Sequence, residues 1–232
     1  MPDFMILIRE NETEQQRMAP SETKALVERH AAYVQRLNAA GAYRDSERLR
    51  PSAEGKRVHA SKVEAGPFGD EHAIAGYYLV KADNLDAAVA LAEPCPMAPG
   101  DTLDVRPLMG GDVRANKTSR QGKTFAFAVL GNASSEEAWE EVMDRIEADT
   151  SDLSRDERFL GGVRLEPPRR GLQIVSRGHK RTVMDGPFLE SKEVIGGLFF
   201  MRMADLDEAV RWARGTKFLK HGELEIRELW RS

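Results

Sequence analysis

The feature that most constrains the fold is an internal repeat, which runs through almost all of the 232 residues. One constant offset pairs strand residues of the two halves: Phe4 with Phe125, Ile74 with Ile195 and Gly76 with Gly197. The same offset pairs the inward positions of one helix in each half: Leu85, Ala88, Val89 and Ala92 with Leu206, Ala209, Val210 and Ala213. Chance similarity rarely keeps one offset through a strand, a helix and another strand, so the sequence indicates a duplication.

The first half is predicted to alternate strands and helices. The apolar run at 4–8 predicts a strand that is buried on both faces. A helix capped by Ser21 is predicted to end near Ala40. Four of its residues share one face at spacings of three and four: Leu26, His30, Tyr33 and Leu37. Further predicted elements follow in order: extended segments at 43–49, 56–63 and 74–80, a helix capped by Asn84 or Asp83, and a half-exposed strand at 103–108.

The second half is predicted to repeat that order. Its predicted elements are a strand at 125–130, a helix capped by Ser134 or Ser135 with Trp139, Val142, Met143 and Ile146 inward, a strand at 159–165, a hairpin at 172–176 and 182–184, a strand at 194–202, a helix begun by Asp205 and Glu208, and a strand at 224–229. Each half therefore follows the ferredoxin-like βαββαβ order.

The fold class that follows is α+β. We expect two ferredoxin-like βαββαβ repeats at 1–109 and 124–232, joined by a linker at 110–123. Helices on one face of each sheet leave the other face bare, and packing the two sheets against each other would bury both bare faces. The sequence therefore predicts an intrachain pseudo-dimeric α+β barrel. A further homodimer is left open.

Composition excludes several classes of protein. The net charge of −4 does not suggest a nucleic-acid binder, which usually carries a concentrated basic face. No apolar run approaches the ~18 residues of a membrane span, and the first residues lack the pattern of a secretion signal. A single cysteine, Cys95, cannot form an intrachain disulfide, so we expect a reducing cytoplasm.

Two unequal loops are the most specific local motifs. The run Asp185-Gly186-Pro187-Phe188-Leu189-Glu190-Ser191-Lys192-Glu193 has a weaker copy, Ala65-Gly66-Pro67-Phe68, in the first half. This run resembles the YCII-related family. The resemblance extends to the following Gly196-Gly197, the helix Asp205-Leu206-Asp207-Glu208-Ala209, the strand Glu225-Ile226-Arg227, and the helix that carries Arg29-His30-Ala31-Ala32-Tyr33-Val34. The similarity covers nearly the whole chain twice, and its nearest branch is the one named for the sequence DGPF.

The resemblance implies a ferredoxin-like fold that assembles into a dimeric α+β barrel, with a pocket that contains a His/Asp pair. Some relatives are thought to act as small enzymes, and DGPF-type genes are often linked with extracytoplasmic-function sigma factors. Here the helical histidine matches His30, but the equivalent position of the second half is Met143. The loop aspartate is Asp185, whereas the first half has Ala65. The two groups either combine in one composite site or are separate remnants.

His30 and Asp185 are the candidate catalytic pair, because an imidazole held by a carboxylate can act as a general acid or base near neutral pH. A partly buried structural histidine and an aspartate that only shapes a turn are the alternative interpretations. The candidate ligand-binding residues are Tyr33, Gly186, Glu190 and Lys192, and a solvated strand entry is the alternative for the last two.

Other polar residues give weaker signals. Arg106 and Arg227 occupy equivalent strand positions, where each could meet an anionic substrate or form a salt bridge on the barrel surface, and the salt bridge is the preferred interpretation. The spacing of His59, Glu64, Asp70 and His72 fits no closed zinc pattern, so we expect no metal. No phosphate-binding or dinucleotide-binding glycine motif is present, and we expect no cofactor.

Two functions remain open. The first is a cofactor-free enzyme or ligand-binding protein that uses His/Asp acid–base chemistry on an unknown small molecule. The second is a non-catalytic binding or regulatory module, linked to an extracytoplasmic-function sigma factor system. The split pair of His30 and Asp185 motivates the second function, because duplicated copies can decay.

Overall fold

The computed structural model describes residues 1–68, 73–113, 122–131, 141, 153–177, 180–185, 194–220 and 222–230. The chain forms two compact units. Unit 1 comprises Met1–Arg48, Asp70–Leu108 and Pro168–Phe188, and unit 2 comprises Leu49–Gly69, Met109–Pro167 and Leu189–Ser232. Each unit therefore takes residues from both halves of the sequence.

Strands dominate the described residues. In chain order they are β1 (Asp3–Glu10), β2 (Tyr43–Arg48), β3 (Lys56–Val58), β4 (Val63–Ala65), β5 (Ala73–Lys81), β6 (Thr102–Val113), β7 (Lys123–Gly131), β8 (Phe159–Leu165), β9 (Leu172–Arg177), β10 (Lys180–Asp185), β11 (Val194–Met203) and β12 (Glu223–Glu228). The helices are α1 (Glu12–Gln16), α2 (Pro20–Ala39), α3 (Leu85–Ala92) and α4 (Leu206–Arg214). The fold is thus α+β with antiparallel sheets. None of these helices is both long enough and apolar enough to cross a membrane.

The two units have the same order of strands. In unit 1 the order is β2-β5-β1-β6-β9-β10, and every neighbouring pair is antiparallel. In unit 2 the order is β8-β11-β7-β12-β3-β4, again antiparallel throughout. The outer hairpin of each unit therefore comes from the other half of the sequence: β9–β10 in unit 1 and β3–β4 in unit 2.

Equivalent glycines allow equivalent close approaches of the backbone. A Cβ atom on Gly76 would lie 2.4 Å from the backbone oxygen of Glu47, and one on Gly197 would lie 2.4 Å from that of Val163. A register shift also occurs beside each glycine, between Ile8 and Arg9 opposite Gly76 and within β11 at Gly197. The duplication therefore extends to the irregular features of the strands.

One face of the unit 1 sheet packs against helices. Its buried cluster includes Ile6 of β1, Tyr78 of β5 and Val105 of β6, together with Tyr33 and Leu37 of α2. The apolar face predicted for α2 is therefore its packed face. The helix begins one residue before the predicted cap, at Pro20. Its N-cap residue, Ala19, donates its N–H to the Glu22 carboxylate at 2.8 Å.

In unit 2 a helix also packs against one face of the sheet, here through aromatic side chains. Phe127 and Phe199 stack at 4.8 Å between ring centroids, and Trp212 of α4 meets both rings edge-on. The helix begins at the predicted cap, since Asp205 Oδ1 accepts the N–H of Glu208 at 2.7 Å. The predicted helix that follows Ser134 lies outside the described residues.

Three sequence expectations differ from the structure. The segment predicted as one extended run at 56–63 is split, because a turn at 59–62 joins β3 to β4 as a hairpin. The strand at 103–108 is not half-exposed: Asp104 and Arg106 are both 2% exposed. Burial of Asp104 is compensated by Arg9, whose Nε donates to it at 2.6 Å, and by the Gln173 amide at 2.9 Å. β6 also continues to Val113, into the segment predicted as a linker.

Candidate functional site

His30 is held against the sheet by a tyrosine. It lies on the inward side of α2, half-buried, and its Nδ1 is 2.8 Å from the hydroxyl of Tyr78 on β5. Tyr33, one turn further along α2, packs edge-on against the Tyr78 ring with centroids 4.9 Å apart. Packing against Tyr33 holds the Tyr78 ring in place, and the Tyr78 hydroxyl in turn orients the imidazole of His30.

The surroundings of His30 disfavour its charged form. Burial lowers its pKa to about 4, and the positive charges of Arg48 and Arg29 add to that effect. Burial also raises the pKa of Tyr78 well above the ordinary value of a phenol. Both groups are therefore neutral near pH 7. Among the described residues, no hydrogen-bond partner contacts Nε2 of His30, so this nitrogen can meet a ligand.

The edge strand β2 adds polar groups beside this pair. Ser46 lies directly opposite Tyr78 in the register, and its hydroxyl is 3.0 Å from the hydroxyl of Tyr43. Arg48 lies opposite Gly76, two residues from Tyr78 along β5 and on the same face. We define the His30 site as His30, Tyr43, Ser46, Arg48 and Tyr78.

Asp185 belongs to the same unit as His30. Its backbone ends β10, in a row of Cα partners across five strands: Asp185, Leu172, Val105, Ile6 and Tyr78. Four strand spacings place its backbone roughly 19 Å from that of Tyr78 along the sheet. The described hydrogen bond of His30 is to Tyr78, and its pairing with Asp185 stays a prediction.

The structure gives Tyr33 a packing role. Its side chain is 3% exposed, and its hydroxyl donates to the backbone oxygen of Leu91 at 2.8 Å. That bond joins α2 to α3. The other residues predicted to bind a ligand, Gly186, Glu190 and Lys192, lie outside the described residues, and so does Met143.

Sequence reasoning missed the partners of His30. Tyr78 belongs to a strand that reads as uniformly apolar, and Ser46 and Arg48 belong to a polar edge strand without a motif. A usable signal was present at Tyr78, because a buried phenol needs a hydrogen-bond partner and a histidine on the packed helix face can supply one.

A second histidine lies between carboxylates in unit 2. His59 Nδ1 is 2.6 Å from Glu223, and its Nε2 is 3.3 Å from Glu64 without forming a hydrogen bond. Lys62 contacts the other oxygen of Glu64. Within the described ranges, no group of three His, Cys, Asp or Glu side chains is arranged to hold a metal. Two members of the weak metal set, Asp70 and His72, are not described.

The expectation that the paired arginines lie on the surface is wrong for both, since Arg106 is 2% and Arg227 1% exposed. The guanidinium of Arg227 donates to Glu225 at 3.0 Å and to the backbone oxygen of Arg50 at 2.6 Å. Arg57, also buried, donates to the other oxygen of Glu225 at 2.8 Å. Burial of two arginines around one carboxylate is a feature of the core of unit 2 and not of its surface.

The family follows from a comparison of sequences. The profile of the YCII-related domain matches residues 3–110 and again residues 124–232, so the chain belongs to the YCII-related family and carries its domain twice. A search of curated proteins finds no match.

Solved structures give only a loose likeness. A candidate monooxygenase from Fusobacterium nucleatum subsp. nucleatum is 12% identical over 98% of this chain and 91% of its own, with a TM-score of 0.42. A candidate chlorite dismutase is 8% identical over 100% and 96%, with a TM-score of 0.42. An anthrone oxidase-like protein is 6% identical over 99% and 92%, with a TM-score of 0.46. At these scores the likenesses carry no conclusion about this chain.

Proposed function

We propose that the two YCII-related repeats are ferredoxin-like βαββαβ units, which form the intrachain counterpart of a dimeric α+β barrel with repeat boundaries near 109 and 124. The matched strand orders and glycines of the two units support this proposal. Limited proteolysis of the full chain within 110–123, followed by gel filtration, tests it. The two fragments should stay together, because each unit needs strands from both halves. Fragments that separate without denaturant would contradict it.

We propose that this YCII-related protein is a small-molecule enzyme that moves a proton with His30. The observation that carries the proposal is a neutral imidazole with one nitrogen held by Tyr78 at 2.8 Å and the other without a partner among the described residues. A general base needs this arrangement: a fixed ring, a defined tautomer and an accessible lone pair.

The path of the proton follows from the two nitrogens. In the tautomer with its hydrogen on Nδ1, the ring donates to the Tyr78 hydroxyl, and the lone pair of Nε2 points away from that bond. A proton removed from a C–H or O–H group of the substrate would pass to Nε2 and form an imidazolium. The same nitrogen would return the proton to the product, so the enzyme ends each turnover unchanged.

Asp185 is proposed as a second group of this site. The support is its membership of the same unit as His30, although it comes from the other half of the sequence. The exchange of hairpins puts this aspartate of the second repeat in the unit of His30, four strand spacings from Tyr78 along the sheet. The two groups would therefore act together only on a substrate that spans both positions. Gly186, Glu190 and Lys192, which lie outside the described residues, stay predicted ligand contacts.

Hydrogen–deuterium exchange tests the proposed activity without a known substrate. A panel of small carbonyl compounds in D2O is followed by proton NMR with wild type and His30→Gln. At least one compound should exchange faster with wild type, by a factor on the order of 10² or more, the usual gain from a positioned base. Tyr78→Phe should lose part of that gain, because the ring is then less well oriented.

Control variants separate chemistry from folding. His59→Gln changes a histidine of unit 2 and should leave the exchange rate unchanged. Asp185→Asn should lower the rate if the composite site is correct. Equal exchange rates for wild type and His30→Gln across the whole panel would contradict the proposed function. Saturable binding of a compound without any exchange would instead favour a binding protein.

A further inference from the structure

We propose that the His30 site binds a small anionic molecule, with Arg48 and Arg29 supplying the positive charge. This inference rests on the proposed function and names the class of its substrate: an organic acid whose oxyanion is held beside the imidazole. The substrate proton that His30 removes would then belong to a group next to that anion.

The two charges that lower the pKa of His30 are both positive. Arg29 precedes His30 on α2, and Arg48 comes from β2, so the positive groups approach from two different elements. Within the part of the chain that the structure describes, these two arginines are the charged side chains that act on the imidazole. Acidic residues of β2 occupy the alternate positions: Asp45 and Glu47 lie on the opposite sheet face, where Asp45 accepts a hydrogen bond from Tyr77 at 2.6 Å. Their negative charges still reach Tyr43 and help to raise its pKa.

Arg48 lies on the sheet face on which Tyr78 meets His30. Its register partner on β5 is Gly76, where the backbone of β2 passes close by. The next residue on that face of β5 is Tyr78, and its register partner on β2, Ser46, carries a hydroxyl. An anion between Arg48 and His30 would therefore meet a guanidinium, a hydroxyl and the imidazole, which are the groups that oxyanions prefer as partners. Arg29 and Arg48 are both exposed, so they can be reached from solvent.

Binding of an anion would also activate the base. An imidazole with a pKa near 4 is neutral at pH 7 but a weak base. A negative charge placed between it and the arginines would offset their repulsion and raise the pKa of His30. The other titratable groups nearby, Tyr33 and Tyr43 with Tyr78 and Cys95, keep their protons because burial raises the pKa of each. The base would thus gain strength only when its anionic substrate is present.

Binding measurements with matched probes test this inference. Methanesulfonate and benzenesulfonate keep their negative charge from about pH 4 to 7, and the corresponding sulfonamides are neutral molecules of nearly the same shape. Binding to the full chain is followed by NMR at constant ionic strength, together with titration of the His30 ring. Each rise of one unit in the pKa of His30 requires about tenfold tighter binding of the anion to the protonated protein. We expect at least that tenfold preference between about pH 7 and pH 4.

Two arginine variants complete the test. Arg48→Gln should weaken sulfonate binding at least about fivefold and abolish the rise in the pKa of His30. Arg44→Gln is the matched control on the same strand, because Arg44 lies 3.7 Å from Asp3 and is not among the charges that act on His30; it should bind as wild type does. Equal binding of sulfonates and sulfonamides, no binding of either, or wild-type binding by Arg48→Gln would overturn the anion site. The proposed function would survive those results if His30→Gln still lost proton exchange.

Discussion

Two titratable groups of unit 1, the half-buried His30 and the buried Asp101, should make stability depend on pH in opposite directions. The pKa of His30 is lowered from 6.5 to about 4, and burial raises the pKa of Asp101 from 3.8 to about 6. On acidification the unfolded chain binds a proton at His30 before the folded protein does, so this residue lowers the free energy of unfolding as pH falls from 6.5 towards 4. Asp101 does the reverse, because its folded form takes up a proton first as pH falls through about 6.

The size of the His30 effect follows from the gap between its two pKa values. Full protonation of both states would remove about 3 kcal/mol of stability. The ring is half-buried, and solvent reduces the figure, so we expect about 2 kcal/mol between about pH 7.5 and pH 4.5. In the wild type Asp101 offsets part of this loss. The two contributions therefore have to be separated with variants.

Urea unfolding of three proteins at those two pH values supplies the measurement. His30→Gln should gain about 2 kcal/mol relative to wild type as pH falls, whatever its stability at the higher pH. Asp101→Asn should instead lose stability relative to wild type over the same interval. NMR titration of the His30 ring gives the folded pKa directly. Parallel stability curves for wild type and His30→Gln would refute the argument that the imidazole is buried in its neutral form.

Three further predictions concern the frame of the fold, and urea unfolding checks the first two. Gly76→Ala should lower the free energy of unfolding by about 1–3 kcal/mol, because the new Cβ would lie 2.4 Å from a backbone oxygen of β2. Its control is Gly131→Ala, whose new Cβ would meet nothing within 4 Å. Glu225→Gln should cost about 3–5 kcal/mol because it leaves two arginines buried without their carboxylate, whereas Glu14→Gln, which breaks an exposed pair, should cost less than about 1 kcal/mol. The Cys95 thiol, which is 0% exposed and has a pKa raised by burial, should not react with Ellman's reagent until the protein is unfolded.

The sequence was sufficient to predict those features of the fold that depend on residues close together in the chain. Asn84 and Asp205 cap their helices as predicted, because the oxygen of each accepts an N–H from the first turn. The apolar run at 4–8 forms β1, and Gly76 and Gly197 mark close backbone approaches. These features depend on spacing and side-chain type, which can be read directly from the chain.

Pairings between distant residues were the part that sequence reasoning could not supply. Burial of Asp104 depends on Arg9 and Gln173, which are far from it along the chain. The position of His30 against Tyr78 depends on which residue of β5 lies beneath α2. A pattern identifies the buried face of each element, but it does not specify which polar groups meet when two such faces pack.

The exchange of hairpins has a consequence for synthesis on the ribosome. Unit 1 includes residues up to Phe188, so the first half of the chain emerges well before its sheet can be completed. Until β9 is made, the edge of β6 that it will cover has no strand to pair with, and open edges of this kind can pair with other nascent chains. Unit 2 likewise awaits β12, which pairs with both β7 and β3. Folding of either unit thus depends on synthesis of the second repeat, and not on the completion of the first.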